Sequence, residues 1–327
     1  MISIAKTSSE LTLSDRWDHV VARLGVNRMG HRVEPGLYSL GEPDNGSPVF
    51  VTANYTLSFD ALRSSLSGIS CYILVIDTRG INVWCAAGKG TFGTEELIRR
   101  IGVTGLAGVV SHRKLILPQL GAPGVAAFEV RKRSGFQVEY GPVRAADIPE
   151  YMKGHKATKE MRNVRFSLAD RLVLVPVEVN HLLLPMIIAA IAAYLAGGIT
   201  FAGALVSAML AGVVLFPALL PWLPTKDFST KGLILGLLVW IPFGWLALND
   251  ASILQLWQRG AYVLVYLLAM PAITSYLALN FTGSTPFTSR TGVKREISTY
   301  IPVMAGMVTI SVIIVVILVF VKLMGWS

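Results

Sequence analysis

Residues 71–89 read CYILVIDTRGINVWCAAGK, and the two halves of this stretch follow different rules. The run from Cys71 to Asp77 is almost wholly apolar, as expected for a strand buried on both faces of a sheet. Thr78, Arg79 and Gly80 supply a turn, and Asn82 carries a side chain suited to cap a helix. Cys85 then falls at the third helical position, where the positive end of the helix dipole favours a thiolate. Lys89 adds a cation about one turn on. Ala86, Ala87 and Gly88 leave that face of the helix without bulk, so a flat ligand can approach the backbone. A thiolate is a strong, soft metal ligand. Spacing alone leaves two readings of Cys85 open: a ligand beyond a strand end, or a small buried residue.

Working outward, residues 48–53 (PVFVTA) predict another apolar strand, residues 58–66 a helix, and residues 95–101 a helix capped by Thr94. Residues 109–110, 115–117 and 136–140 are further strand candidates. Helices are expected over about 15–24, capped by Ser14 and stopped by Gly25, and over 145–152, with a loop across 30–47. The alternation predicts an α/β fold, a Rossmann-like sheet of mostly parallel strands over residues 1–152. Ligands of such sheets sit beyond the carboxyl ends of the strands, which is where residues 81–89 fall.

The composition divides the chain. Of 327 residues 53% are hydrophobic and 15% charged, against about 25% charged in an ordinary soluble domain. Residues 1–181 hold 22 Lys/Arg and 17 Asp/Glu, whereas residues 182–327 hold 7 and 3. A wholly soluble protein is excluded. Five apolar stretches, at about 182–198, 199–222, 232–249, 261–281 and 301–324, approach the ~20 residues that span a bilayer. They predict an all-α membrane bundle of five transmembrane helices, the first two joined at Gly197-Gly198. Residues 153–181 carry Lys153, Lys156, Lys159, Arg162, Arg165 and Arg171, a basic juxtamembrane linker suited to an anionic leaflet.

Basic residues in the loops at 223–231 (Lys226, Lys231) and 282–300 (Arg290, Lys294, Arg295) face the cytoplasm by the positive-inside rule. The N-terminal stretch lacks the apolar core of a secretory signal. Both arguments expect a multi-pass protein of the inner membrane with its first domain in the cytoplasm. The apolar stretches contain no Asp, Glu, Lys or Arg apart from Lys322 at the edge of the last, which favours an anchor over an ion path.

Two cysteines, Cys71 and Cys85, are too few for an iron–sulfur cluster or a four-cysteine zinc site, so electrons must come from elsewhere. Cys71, inside the apolar strand, is expected in the core. His19, His31, His112, His155 and His181 show no metal-ligand spacing. AAGKGT fails the phosphate-loop pattern G-x-x-x-x-G-K-S/T, because Val83 and Gly90 stand where Gly and Ser/Thr are required. No nucleic-acid partner is expected.

Residues 82–89, NVWCAAGK, resemble the cap-helix signature of the membrane-bound corrinoid proteins of microbial mercury methylation at every position. Residues 52–55 (TANY), 111–114 (SHRK) and 141–146 (GPVRAA) resemble stretches of the corrinoid iron–sulfur protein. The resemblance implies a corrinoid of cobalamin type bound with its own base displaced, and the Cys85 thiolate as lower axial ligand of cobalt. Cys85 is then both the metal ligand and the catalytic residue. Asn82, Val83, Trp84, Ala86, Ala87, Gly88 and Lys89 would form the cap helix, with Trp84 as an apolar body against the ligand. Thr52, Asn54, His112, Gly141 and Pro142 would lie in loops around the corrin.

The implied activity is a corrinoid-dependent methyltransferase passing a methyl group from cobalt to Hg(II) to make methylmercury. It would draw electrons from a ferredoxin-like partner carrying two 4Fe–4S clusters, and its methyl group from a methyltetrahydrofolate-linked system. Two alternatives stand beside it: a corrinoid methyl carrier of one-carbon, acetyl-CoA-type metabolism, and a membrane transporter or scaffold with a cytoplasmic α/β domain.

Overall fold

The computed structural model describes residues 4–250, 253 and 255–325. They divide into two compact units, residues 1–165 and 166–327.

Six strands form the sheet of unit 1: β1 (Ile4–Thr7), β2 (Gly36–Leu40), β3 (Val49–Ala53), β4 (Cys71–Ile76), β5 (Lys114–Leu117) and β6 (Gln137–Tyr140). They lie in the order β1-β2-β4-β3-β5-β6. The four strands from β4 to β6 are parallel, while β2 runs antiparallel to β4 and takes β1 with it. The sheet is therefore mixed, with four of its five strand pairs parallel as expected and one antiparallel pair, β2 with β4. β1 and β2 were not expected, and β2 falls inside the predicted loop at 30–47.

Period-2 alternation sorts the central strands between two cores. Val49, Val51 and Ala53 join Tyr72, Leu74 and Ile76 on one face. That face is covered by α3 (Val83–Lys89), α4 (Thr94–Val103), α5 (Leu106–Val109) and α6 (Ala127–Ser134). Phe50, Cys71, Ile73 and Val75 point the other way. There they meet α2 (Thr56–Ser65), α7 (Ile148–Gly154), Ala157 and Met161. Residues 109–110, expected as strand, end the short helix α5. A remaining helix, α1 (Leu13–Arg23), is capped by Thr12 rather than Ser14 and has no buried residue.

The expected linker at 153–181 contains the boundary between the two units, but parts of it are packed into them. Ala157 and Met161 are buried in the second core, and the Val143 N–H donates to the Met161 carbonyl at 2.7 Å. Further on, Arg171 is 4% exposed in α8 (Leu168–Leu172) and donates to the carbonyls of Pro217 and Ala218. Apolar residues placed between the basic ones decide this, and a reading by charge passes over them.

Unit 2 continues with α9 (Val175–Leu210), a π turn at Ala211–Leu215, α10 (Phe216–Leu219), α11 (Phe228–Leu248), α12 (Leu256–Asn280) and α13 (Arg290–Leu323). Four helical stretches are long and apolar enough to cross a membrane: Leu168–Leu219, Phe228–Leu248, Leu256–Ser284 and Arg290–Leu323. The first of these is broken at Gly197 and Gly198, where Gly198 takes φ +76°, at the junction expected between the first two of five spans. α11 and α12 meet through glycine. A Cβ on Gly232 would lie 2.6 Å from the Ser275 Cα, and one on Gly236 2.5 Å from the Pro271 Cα, so only glycine allows this approach. The predicted loop at 282–300 is helical from Arg290 on. It carries Glu296, 5% exposed, whose Oε2 accepts from the Ser229 N–H and hydroxyl at 3.0 Å. This buried carboxylate lies five residues ahead of the expected span, so the apolar pattern alone does not reach it.

Candidate functional site at the carboxyl edge of the sheet

Strand order reverses at β3: the chain steps to β4 on one side, then crosses to β5 on the other. Only one residue pair, Phe50 with Ile116, links β3 and β5 in register. In sheets of this kind the crevice opens at the carboxyl ends beside such a reversal. The segments following β3, β4, β5 and β6 all begin at that edge.

α3 begins there. Asn82 adopts extended backbone and its side chain accepts the Cys85 N–H at 2.9 Å, the expected N-cap. Gly90, at φ +81°, closes the helix in the left-handed conformation that glycine adopts without strain. Cys85 and Trp84 are half-buried, while Asn82, Gly88 and Lys89 are exposed. Val83, Ala86 and Ala87 are buried in the core. The small residues at 86 and 87 were expected to clear space for a ligand. They instead let α3 settle on the segment at 119–124, where a Cβ on Gly124 would meet the Ala87 Cα at 3.0 Å. Gly88, exposed on α3, has no heavy atom within 4 Å of where a Cβ would stand.

The turn leading into α3 is held by Asn54, 3% exposed at the end of β3. Its Oδ1 accepts from the backbone N–H of Thr78 at 2.9 Å and of Gly80 at 3.0 Å, and its Nδ2 donates to Asp77 at 3.3 Å. Thr78 donates its hydroxyl to the Ile81 carbonyl at 2.6 Å. The amide oxygen of Asn54 thus positions the turn. Thr52, one strand pair back, is 3% exposed within β3. Tyr55 follows, its phenol pKa raised by burial; Arg23 and Arg28 oppose that shift, while Asp18 and Cys85 reinforce it.

Gly141 and Pro142 lie at the same edge, after β6. The Gly141 N–H donates to the Leu117 carbonyl at 2.8 Å, and Pro142 accepts from the Gln119 N–H at 3.2 Å. His112 does not join them. It precedes β5 and its Nε2 lies 2.9 Å from the carbonyl of Ser47, which precedes β3, so it stands at the amino ends of the strands. Cys71 is fully buried, and burial pushes its thiol up to about 12.

Two features fit a corrinoid at this edge. Gln119, which sequence reasoning missed, has a buried Oε1 with no hydrogen-bond donor, and a corrin rim carries amide N–H groups that could serve it. Among the described residues no three His, Cys, Asp or Glu side chains converge. A metal held through Cys85 would have to bring its remaining ligands with it, as a macrocycle does.

Comparisons with known proteins bear on unit 1. The family described as CO dehydrogenase/acetyl-CoA synthase delta subunit matches residues 27–152. The gamma subunit of the acetyl-CoA decarbonylase/synthase complex of Methanopyrus kandleri is 35% identical over 128 residues, 38% of this chain and 27% of the relative. That of Methanocaldococcus jannaschii is 32% identical over 139 residues, 41% of this chain and 28% of the relative. The corrinoid/iron-sulfur protein large subunit of Moorella thermoacetica is 29% identical over 129 residues, 39% and 28% respectively. The chain spans little more than a quarter of the length of these relatives. Its residues 27–152 are thus similar to part of these proteins, and the family match ends before unit 2.

Proposed function

We propose that this chain is a membrane-held corrinoid methyl carrier in which Cys85 is the lower ligand of cobalt and thiol-bound Hg(II) is the methyl acceptor. The observation that carries the reading is the position of Cys85. It is half-exposed in the first turn of a capped helix, directly beyond a central parallel strand, within the NVWCAAGK segment.

When bound, the corrinoid supplies a cobalt centre that carries the methyl group. The protein's part is positional and electronic. Asn82 fixes the helix entry and Asn54 the turn before it, so the Cys85 sulfur is presented at a set height above the sheet edge. Cys85 would hold the cobalt through its sulfur, and a soft, electron-rich thiolate donor would favour handing carbon to a soft, thiophilic acceptor. Trp84 supplies an apolar body beside the ligand, and Gln119 an acceptor for a rim amide. Thr52, Gly141 and Pro142 close the crevice floor at the strand ends.

The chain has two cysteines, one of them buried in the core, so reduction falls to a partner, for which a ferredoxin-like protein with two 4Fe–4S clusters is suited. The methyl group would come from a methyltetrahydrofolate-linked donor. Unit 2 would anchor the chain in the inner membrane with its basic ends toward the cytoplasm; Asp227 pairs with Arg295 at 3.1 Å, so both basic clusters share one end of the bundle.

The names of the relatives favour a second reading, a methyl carrier of one-carbon metabolism serving acetyl-CoA chemistry. Neither those names nor the family description mention mercury, and that part of the proposal rests on the cap-helix resemblance. One set of measurements separates the two. Full-length protein loaded with cobalamin should show the absorbance of thiolate-ligated cobalt and lose it in Cys85→Ala. Cells carrying Cys85→Ala should form no methylmercury while growing normally. Growth or folate-dependent methyl flux that collapses in the deletion strain, with methylmercury unaffected by Cys85→Ala, would give the second reading the site.

A further inference from the structure

The amphipathic helix α1 faces the wrong way for a globular domain. A surface helix ordinarily turns its apolar stripe to the core and its charges to water. In α1, Leu13, Trp17, Val20 and Leu24, the last being the C-cap residue, recur at spacings of four, three and four and so line one face. That face is outward: Leu13 is 86% exposed and Trp17 68%, with Val20 and Leu24 also exposed. Val26 and Met29, exposed in the following loop, extend the apolar surface.

The inward side is ionic instead. Asp15 accepts from Arg63 at 2.8 Å, Asp18 lies 2.7 Å from His31, and His19 lies 2.7 Å from the buried Asp60. The acids of α1 are therefore neutralised within unit 1. Arg16 and Arg23 are left exposed beside the apolar stripe, with Arg28 beyond it. At about 100° per residue both helical arginines fall on one flank of the stripe.

We propose that α1 is an interfacial helix that docks unit 1 on an anionic lipid surface, with Leu13, Trp17, Val20 and Leu24 in the acyl–headgroup boundary and Arg16, Arg23 and Arg28 at the phosphates. A polar inner face with an apolar outer face bearing Trp, and arginines at the margin, suits that boundary. Charge complementarity selects this occupant: the basic residues left over after the internal ion pairs match anionic headgroups. The inference rests on the membrane reading of unit 2, which keeps unit 1 within reach of a bilayer.

The test uses the full-length chain in nanodiscs, with brominated phosphatidylglycerol as quencher. The protein has seven tryptophans, so the Trp17 signal is taken as the difference between wild type and Trp17→Phe. That difference signal should lose at least half its intensity relative to unbrominated lipid. It should be quenched several-fold less in brominated phosphatidylcholine and in the Arg16→Gln/Arg23→Gln variant. Val20→Asp, on the exposed face, should abolish the quenching while leaving the far-ultraviolet spectrum unchanged. An unquenched Trp17 overturns the proposal, as does quenching indifferent to lipid charge. Concentration-dependent cross-linking through α1 in place of quenching would assign the face to a second copy and overturn it equally. Failure of the chain to enter nanodiscs at all would instead sink the membrane reading of unit 2.

Discussion

Asn54 commits its amide oxygen to the turn between β4 and α3, accepting from Thr78 and Gly80. Asn54→Ala would strand the N–H groups of Thr78 and Gly80, both buried bonds in the native state. Each orphaned donor costs about 1–3 kcal/mol, so the variant should lose at least about 2 kcal/mol in urea unfolding. Because the turn sets the height of Cys85, the loss should reach the site as well, as altered absorbance of the cobalamin-loaded protein. Asn54→Asp keeps the acceptor but puts a second carboxylate beside Asp77, and should recover only part of the stability. The resemblance in sequence placed Asn54 against the ligand. The structure gives it a positioning role that no local pattern announces, since its partners lie 24 and 26 positions away. His112 shows the converse: quoted from a similar stretch, it stands at the opposite end of the strands.

Elements were legible where one physical signal dominated. β3 and β4 are buried on both faces and read as unbroken apolar runs, and α3 announced itself by its cap and by the turn before it. β2, GLYSL, is short and flanked by proline and glycine, and β1, IAKT, pairs with one neighbour only, so neither carries enough apolar pattern to be seen. α6, AFEVRKRS, is mostly charged; it is placed by the burial of Val130 and by the Arg133–Glu95 ion pair to α4. The segment after α1 depends on a side chain likewise invisible in periodicity. His31, 5% exposed, holds Asp18 through Nδ1 at 2.7 Å and the Val26 carbonyl through Nε2 at 2.8 Å, which ties the loop back to the helix. Burial pulls the His31 pKa down, but the bonds to Val26 and Asp18 outweigh it, and the net shift is upward. A group raised in the folded state stabilises fully below its unfolded pKa, near 6.5, and loses that contribution as pH rises through the folded value. The stability gap between wild type and His31→Asn in urea should therefore be widest at about pH 5.5–6 and shrink towards pH 9. A gap that widened with pH would mean that the ring binds as neutral imidazole.

At the scale of the molecule, two units that share no strand or helix predict two separable bodies. Residues 162–165, RNVR, are exposed and non-helical, and they follow Met161, the last residue packed into the second core of unit 1. Trypsin under native conditions should therefore cut after Arg162 or Arg165 before it attacks either unit, because both sites are open and cleavage there removes no buried contact of the sheet. The amino-terminal fragment retains both cores of the sheet, and it should keep its cooperative urea transition. Its fate after cleavage is set by α1. With four exposed apolar side chains and three arginines unspent, the fragment should stay with vesicles rich in phosphatidylglycerol at low salt. It should be released by about 1 M salt, where charge attraction is screened to a few ångströms. From phosphatidylcholine vesicles it should wash free at any salt. A fragment recovered wholly in solution under all these conditions would leave the apolar face of α1 needing a protein partner. A fragment that could be removed only by detergent would mean that unit 1 is held by burial deeper than one interfacial helix provides.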